Sequence, residues 1–442
     1  MGWVALKSVS AGASGPVGFN PHLADEFAHS TAPDLSVRIH NLDEIGRAFG
    51  HGAALAASDH VEAFLKYQLR GREGFGLADY VLRQLSENPV TYDGQRFHLF
   101  VSLAPTGVSK DCAHKVLPTV YGNPAFPDDA WCRQYRADMA LAVNLFEAMA
   151  QHRLVLAWQP ICNTDDPSQF LYHECLLRIV APEGQIEPAG PAVEALERLG
   201  LVRALDRHIF AEALRALHVD PTRKLGVNIS AQSLGCDAWW SGHLEELAAH
   251  PWLSRRLFVE ITETAPMASA AAATDFISAL RQRGCQIVLD DFGTGHAAFR
   301  LMLTLKPDIV KIDRFFVHHA SASAQGFDAL VHLIGLAESL GALTIVEGVE
   351  TEAESEMVIL AGGRWQQGYH LGGPSFARPW RLGTGGPEIH PMDKAEISGA
   401  EISGSAALLP FPGGDPFRGQ TPNVAGPDVA GIARHRQQGA GA

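Results

Sequence analysis

The stretch CQIVLDDFGTG, Cys285–Gly295, places two adjacent aspartates directly behind an apolar run. A short apolar run that ends at glycines predicts a buried β-strand over Gln286–Phe292. Asp290 and Asp291 then stand at the carboxyl end of that strand, where neighbouring carboxylates repel each other and are poorly solvated. Such a pair requires positive charge close to the strand end.

Seven further β-type runs accompany this strand. They are LVLAWQPI (154–161), FLYHECLLRI (170–179), LGVNIS (225–230), LFVEITE (257–263), IVKID (309–313), LTIVEGV (343–349) and RWQQGYHL (364–371). Helical periodicity fills most of the gaps, as in ATDFISALRQRG and FDALVHLIGLAESLG. Eight strands that mostly alternate with helices predict an α/β fold of the closed (β/α)8 barrel type. A doubly wound open sheet is the alternative that the pattern leaves open.

Polar residues stand at or near the ends of nearly all these strands, where a barrel places its chemistry. They are Glu174, Asn228, Glu260, Asp290, Asp291, Lys311, Glu347 and Gln367. Five carboxylates and one ammonium leave a formal charge of −4, which two divalent cations would neutralise. All-oxygen ligands favour Mg²⁺ or Mn²⁺ over zinc. The alternative for each single residue is a helix cap or an ion-pair partner.

The composition narrows the class of protein. The chain has 442 residues and a formal charge of −14, which argues against a nucleic-acid polymer or an anionic membrane as the main partner. Its six cysteines are scattered without a CxxC pair, so we expect reduced thiols and a cytoplasmic location. No run of 18 apolar residues occurs, so we expect no membrane span.

The motifs also resemble a known family, the EAL-domain phosphodiesterases of cyclic di-GMP signalling. The resemblance covers residues 136–384 and rests on motifs in the family's order: QPI (159–161), HECLLR (173–178), VNIS, VEITE, LDDFGTG, KPDIVKID, VEGVET (346–351) and QQGYHLGGP (366–374). It implies a modified TIM-type barrel, the EAL fold, in which one strand runs antiparallel. It also implies hydrolysis of cyclic di-GMP to linear pGpG with two Mg²⁺ or Mn²⁺ ions.

The resemblance further implies roles for matching residues. Glu174, Asn228, Glu260 and Asp290 would hold one metal, and Asp290 would bridge to a second, helped by Asp291. Lys311 and Glu347 would position and activate the attacking water, which with Glu174 makes the expected catalytic set. Gln367 would contact water molecules held by the metals, while Gln159 and Arg178 would lie along the substrate. Glu263, Gly293 and Gly295 would anchor the loop that carries DDFGTG.

Two departures from the family pattern bear on activity. Cys175 replaces the alanine of the EAL motif, a small change beside the ligand. HAAF (296–299) stands where the family has an aromatic residue and two serines, and losing those hydroxyls could loosen the loop after Asp291. The alternative function is therefore a cyclic di-GMP receptor with little or no turnover that signals through a regulatory protein partner. A barrel hydrolase acting on another phosphodiester, and a homodimer, also stay open.

The residues outside 136–384 form four further segments of the chain. Residues 34–110 faintly resemble a degenerate GGDEF cyclase domain: IHNLDEIGRAFGH and FHLFVSLAPTGVS are similar to its segments, yet no GGDEF sequence occurs and GREGFG (71–76) is the nearest fragment. Arg38 stands where the metal-binding aspartate of a cyclase would be. We expect a catalytically dead partner domain, or an unrelated small α/β module. Residues 1–33 predict a flexible N-terminus, 111–135 a linker, and the Gly- and Pro-rich residues 385–442 a disordered tail.

Overall fold

The computed structural model describes residues 2–5, 35–68, 77–105, 128–235, 238–262, 269–293 and 298–376. The strands in these ranges are β1 (Gly2–Ala5), β2 (Leu35–Ile39), β3 (Val90–Tyr92), β4 (Gln95–Phe97), β5 (Val101–Pro105), β6 (Leu154–Asn163), β7 (Phe170–Val180), β8 (Ile186–Pro188), β9 (Leu225–Ser230), β10 (Leu257–Thr262), β11 (Gln286–Phe292), β12 (Ile309–Ile312), β13 (Leu343–Val346) and β14 (Trp365–Gln366). The predicted flexible N-terminus, apart from β1, and the predicted tail lie outside the described residues.

The helices are α1 (Leu42–Phe49), α2 (His51–Ala63), α3 (Leu77–Glu87), α4 (Asp129–Ala150), α5 (Gly190–Leu199), α6 (Val202–Val219), α7 (Ala238–Ala249), α8 (Pro251–Ser254), α9 (Ala270–Arg283), α10 (Ala298–Leu305), α11 (Arg314–Ala322), α12 (Ala324–Ser339) and α13 (Glu352–Leu360). A π-helical turn, Phe64–Gln68, and a 3₁₀ turn, Ala231–Ser233, complete the set in these ranges. The two segments named above for their helical periodicity lie in α9 and α12.

Eight strands close into a barrel. Their order around it is β6, β14, β13, β12, β11, β10, β9 and β7, and β6 pairs with β7 to complete the ring. Strand β6 runs antiparallel to both neighbours, whereas every other pairing in the ring is parallel. The closed ring excludes the open-sheet alternative. It confirms the predicted TIM-type barrel and its single antiparallel strand.

Two layers of side chains fill the inside of the barrel. An apolar layer consists of Ile161, Tyr172, Phe258, Val288, Ile309 and Ile345, all 5% exposed or less. Side chains alternate between the two faces of a strand, so the residue two positions further on points to the same side. On five strands that next residue is charged: Glu174, Glu260, Asp290, Lys311 and Glu347. The fold therefore gathers these charges in one layer above an apolar plug.

The N-terminal unit consists of a three-stranded antiparallel sheet, β1-β2-β5, the hairpin β3–β4 and helices α1 to α3. The stretch RFHLFVSLAP (96–105) divides between two strands in different sheets, β4 and β5. The side chain of Asn41 is the reason: its Nδ2 donates to the carbonyl of His98 (3.0 Å) and its Oδ1 accepts from the backbone N–H of Phe100 (2.9 Å). These bonds take the backbone groups of residues 98–100 away from a continuous ladder.

The predicted linker ends earlier than expected. Helix α4 begins at Asp129, so residues 129–135 of the predicted linker are helical. Asp128 caps the helix, because its side chain accepts from the backbone N–H of Trp131 at 2.8 Å. Residues 111–127 lie outside the described part of the chain.

Helix α4 joins the N-terminal unit to the barrel. Arg136 Nε donates to the carbonyl of Ala48 in α1 at 2.6 Å, and Asn41 Nδ2 lies 3.4 Å from the Tyr135 hydroxyl. Buried residues of both units belong to one hydrophobic core. At Gly200, which has φ +75, a Cβ would lie 2.9 Å from the ring of Phe100. The N-terminal unit therefore packs directly on the barrel helices.

A buried ion pair ties α4 to α5 and predicts a stability loss. The guanidinium of Arg198 binds both carboxylate oxygens of Asp138, at 2.7 and 2.9 Å, and Asp138 is 1% exposed. We expect Asp138→Ala to lower the free energy of unfolding by about 2 kcal/mol, because the half-buried guanidinium loses a bidentate partner. Urea denaturation measures this. Arg96→Ala is the control: it breaks the exposed pair with Glu147, so we expect a loss below about 1 kcal/mol. Equal losses would contradict the burial argument.

Candidate metal centre

Lys311 lies at the centre of the charged layer. Its ammonium contacts four carboxylates: Glu174 Oε2 at 3.1 Å, Glu260 Oε2 at 2.9 Å, Asp290 Oδ1 at 3.0 Å and Glu347 Oε1 at 2.7 Å. The lysine is 1% exposed and comes from β12, whereas the four acids come from β7, β10, β11 and the end of β13. The structure thus brings together the predicted acids and the lysine. One ammonium leaves most of their negative charge uncompensated.

Amides orient the carboxylate of Glu174. Asn228 Nδ2 donates to Glu174 Oε1 at 2.8 Å, and Gln367 Nε2 donates to Glu174 Oε2 at 2.6 Å. Gln367 Nε2 also lies 3.2 Å from Gln159 Oε1, and Gln159 Nε2 donates to the carbonyl of Gly372 at 3.2 Å. Predicted metal and substrate residues from four strands therefore form one hydrogen-bonded layer.

A break in the strand register accounts for the paired aspartates. Strict alternation would send Asp290 and Asp291 to opposite faces of β11. Instead the pairing of β11 with β12 shifts between Leu289 and Phe292, and Asp291 adopts φ +54, in the left-handed region. Such a bulge re-aims a side chain. Asp290, Asp291 and Glu347 consequently offer oxygen atoms within 4.8 Å of one another.

The residues present fit divalent cations. Glu174, Glu260 and Asp290 form a second set of oxygens within 4.8 Å, so the cluster offers two overlapping sites that share Asp290. Among the described residues, the buried oxygens Asn228 Oδ1, Glu260 Oε1 and Gln367 Oε1 accept no hydrogen bond. Burying polar oxygens unpaired is costly, and cation ligation would satisfy them. All of these ligand atoms are oxygens, as Mg²⁺ and Mn²⁺ prefer.

The pKa shifts of the clustered acids and of Lys311 reflect the same excess of negative charge. Burial is the largest cause that raises the pKa of Glu260, Glu347 and Asp290, and mutual repulsion adds to it. The pKa of Glu174 is lowered, because the ammonium of Lys311 and the amide donors outweigh its burial. The pKa of Lys311 is raised well above its ordinary value, because four carboxylates outweigh the burial of the ammonium. Lys311 is therefore protonated at neutral pH.

The remaining predicted residues lie near or beyond this layer. Arg178 is half-buried, and its Nη1 donates to the carbonyl of Leu177 at 2.9 Å. Gly293 has φ +104, and a Cβ there would lie 2.5 Å from the ring of Phe316, so only glycine fits this turn. Glu263 and Gly295 lie outside the described residues, as do His296 and Ala297 of the HAAF segment.

Two residues of the centre were missed by sequence reasoning. A Cβ at Gly226 would lie 1.9 Å from Glu260 Oε1, so this glycine makes room for the carboxylate. Tyr172 stacks on Phe258 at 4.2 Å and carries a buried hydroxyl without a hydrogen-bond partner among the described residues. Glycine inside a strand is the signal that could have been read, since it marks close approach of another group.

The charge on Asp291 predicts a pH-dependent stability difference. Repulsion from Asp290, and then burial, raise the pKa of Asp291 to about 7. An acid whose pKa is higher in the folded state than its unfolded value of about 3.9 destabilises the fold progressively as pH rises between those values. We expect Asp291→Asn to raise the unfolding free energy of the metal-free protein at pH 8 by on the order of 1 kcal/mol. Urea denaturation at several pH values measures it. The gain should vanish near pH 4, and a gain independent of pH would contradict the assignment.

Comparison with known proteins identifies the family. The model of the EAL domain matches residues 142–374, which is more than half of the chain. The chain belongs to the EAL domain family. The match does not reach residues 34–110, so the likeness of that unit to a degenerate GGDEF domain stays a prediction. Among the described residues, no helix is long and apolar enough to cross a bilayer.

Curated relatives share this segment at modest identity. The chain is 28% identical over 241 residues to the cyclic di-GMP phosphodiesterase PdeB of Shewanella oneidensis, covering 53% of this chain and 28% of that protein. It is 26% identical over 247 residues to the cyclic di-GMP phosphodiesterase PdeF of Escherichia coli, covering 55% and 32%. The matched segment thus spans about a third or less of these relatives. The solved PaMucR phosphodiesterase, in complex with c-di-GMP, is 27% identical with a TM-score of 0.49, covering 55% of this chain and 99% of that one.

Proposed function

We propose that this chain hydrolyses cyclic di-GMP to linear pGpG with two bound Mg²⁺ or Mn²⁺ ions, in the cytoplasm. The observation that carries the proposal is the layer of four carboxylates around one ammonium, in which buried oxygens such as Glu260 Oε1 accept no hydrogen bond among the described residues. Membership of the EAL family supports it, as do relatives named cyclic di-GMP phosphodiesterases. The charge of the site suggests the divalent ions, and the names of those relatives suggest the substrate.

The residues divide between two ion sites. Glu174, Asn228, Glu260 and Asp290 would hold one ion, and Asp290, Asp291 and Glu347 face the second position. Bound ions would polarise the phosphodiester oxygens and lower the pKa of a water molecule. Gln367 Nε2 donates to Glu174, and the buried Gln367 Oε1, which accepts no hydrogen bond among the described residues, would accept from water molecules held by the ions.

Lys311 and Glu347 differ in what they contribute. Because Lys311 is protonated, it supplies positive charge next to the reacting phosphate and does not act as a base. Glu347 has the most exposed side chain of the four acids that contact Lys311, at 17%, and its pKa is raised, first by burial. We assign Glu347 to position the attacking water and accept its proton. Arg178 and Gln159 would contact the substrate beside this layer.

A receptor that binds cyclic di-GMP without turnover is the second candidate. The observation in its favour is HAAF (296–299), which lacks the paired serines of the family in the segment after Asp291. A loosely held Asp291 would weaken the second ion site, while the first site and the substrate contacts stay in place. Signalling would then pass through a protein partner.

A turnover assay separates the two candidates. The 442-residue chain is incubated with cyclic di-GMP and either Mg²⁺ or Mn²⁺, and pGpG is quantified by chromatography. The enzyme forms pGpG with a divalent ion and forms none in excess chelator. Binding of cyclic di-GMP without pGpG in either metal would support the receptor, and cleavage of other phosphodiesters alone would support a different hydrolase.

A further inference from the structure

Two buried carboxylates from the helices hold the carboxyl end of β9. Asp206, in α6, accepts through Oδ2 from the backbone N–H of Ser230 at 3.1 Å and from Ser233 Oγ at 2.5 Å. Glu197, in α5, accepts through Oε1 from Ser230 Oγ at 2.7 Å. All four residues are 7% exposed or less. The segment 230–233 is thus bound by acceptors from two helices at once.

This arrangement is costly if it serves only to attach helices. Burial is the largest cause that raises the pKa of Asp206 to about 7, and the neighbouring charge of Glu197 raises it further. Apolar contacts between helix and strand stabilise a fold at least as well as buried charges do. What carboxylates add is direction, because each oxygen fixes the position of the donor that it binds. The donors fixed here belong to the last residue of β9 and to the turn behind it.

Ser230 stands two residues after Asn228 on the same strand, and it is the last residue of β9 paired with β10. Asn228 Nδ2 donates to Glu174 at 2.8 Å, and Asn228 Oδ1 accepts no hydrogen bond among the described residues. A strand end that frays displaces the side chains next to it. The position of Asn228 Oδ1 therefore depends on how firmly Ser230 is held.

We propose that Asp206 and Glu197 are positioning residues, which fix the end of β9 so that Asn228 presents its Oδ1 to the divalent ion. This inference rests on the proposed metal centre. The two acids contact neither ion nor substrate, and act through Ser230. Replacing a residue that holds a metal ligand in position, without touching the metal itself, commonly weakens metal affinity by about 10- to 100-fold.

The same strand offers a matched control at its other end. Asp220, just before β9, is 8% exposed and accepts from the N–H and hydroxyl of Thr222 at 2.9 and 2.7 Å. It resembles Asp206 in burial and in accepting from a backbone N–H and a hydroxyl, and it also pairs with Arg223 at 3.1 Å. It lies at the end of the barrel opposite to the metal centre. Asp220→Asn therefore measures the effect of losing a buried, hydrogen-bonded carboxylate that is remote from the metal centre.

Metal titration of the full chain gives the first test. Mn²⁺ affinity is measured calorimetrically for wild type, Asp206→Asn, Glu197→Gln and Asp220→Asn, with urea denaturation to establish that each variant is folded. We expect the first two variants to bind Mn²⁺ about 10-fold more weakly or worse, and Asp220→Asn to bind as wild type does. Unchanged affinity in both Asp206→Asn and Glu197→Gln would overturn the inference while leaving the proposed function standing.

Hydrogen exchange of the Asn228 side-chain amide gives a second test that needs no metal. In the chelator-treated wild type, its bond to Glu174 protects this amide. We expect its exchange to accelerate at least 10-fold in Asp206→Asn and Glu197→Gln, and to stay unchanged in Asp220→Asn. Equal exchange in all four proteins would overturn the inference. If wild type binds no Mn²⁺, the proposed function fails, and this measurement still decides whether the two acids position Asn228.

Discussion

Glu174→Gln is expected to reduce pGpG formation at least about 1000-fold, which corresponds to about 4 kcal/mol of lost transition-state stabilisation. The substitution keeps the shape of the side chain but removes one charge from the first ion site. It also places an amide donor among Asn228 Nδ2, Gln367 Nε2 and the Lys311 ammonium, which all lie within 3.1 Å of the native carboxylate. The variant site has one negative charge fewer and holds donors that repel one another. We therefore expect it to lose the ion of the first site, which would orient the phosphodiester.

Steady-state assays with saturating Mn²⁺ measure this loss, and circular dichroism establishes that the variant is folded. Glu183→Gln is the matched control, because Glu183 is exposed in the turn just after the same strand. We expect its activity to stay within about twofold of wild type, as for surface substitutions in general. A Glu174→Gln variant with wild-type turnover would refute the metal assignment.

Lys311→Met is expected to abolish turnover and, in the metal-free protein, to lower the free energy of unfolding by about 3–5 kcal/mol. The thioether fills the volume of the aliphatic chain but leaves four carboxylates facing one another without a cation. Three of these carboxylates, at Glu174, Glu260 and Asp290, are buried. Divalent ions should therefore stabilise this variant more than wild type, because the ions alone can neutralise the cluster.

Thermal unfolding in excess chelator and then in millimolar Mn²⁺ measures both effects. Lys224→Met is the control, since Lys224 is exposed just before β9 and its replacement should change neither stability nor response to Mn²⁺ by much. If Lys311→Met were as stable as wild type without metal, the carboxylates would have to be protonated and the ammonium would not hold the layer together.

Sequence reasoning predicted the barrel because its buried strands are short, nearly continuous apolar runs and the segments between them have helical periodicity. The charged layer was predictable for the same reason, since polar residues such as Glu260 and Lys311 interrupt strands that are otherwise apolar. The orientation of Asp291 was not, because it depends on a register break that strand periodicity does not encode. The start of α4 was missed because helix ends are set by single caps such as Asp128.

The supports of the site were harder to foresee than its ligands. Asp206 and Glu197 lie on helical segments whose apolar periodicity gives no reason to expect buried acids. Only the packing of α5 and α6 on β9 brings both carboxylates to Ser230. Likewise, a glycine inside β9 signals the close approach of some group, but only the structure identifies that group as the Glu260 carboxylate.

The core shared by the N-terminal unit and the barrel bears on how the molecule melts. Tyr135, in the first half of α4, stacks on Trp131 at 5.3 Å and meets the ring of Phe49 at 6.2 Å, so aromatic packing ties this helix to the N-terminal unit. Units that share a core lose their contacts together, which makes unfolding cooperative across both. A fragment trimmed to residues 142–374 would cut α4 within its length and would lack Trp131 and Tyr135. The barrel and the N-terminal unit of this chain are therefore expected to unfold in one transition.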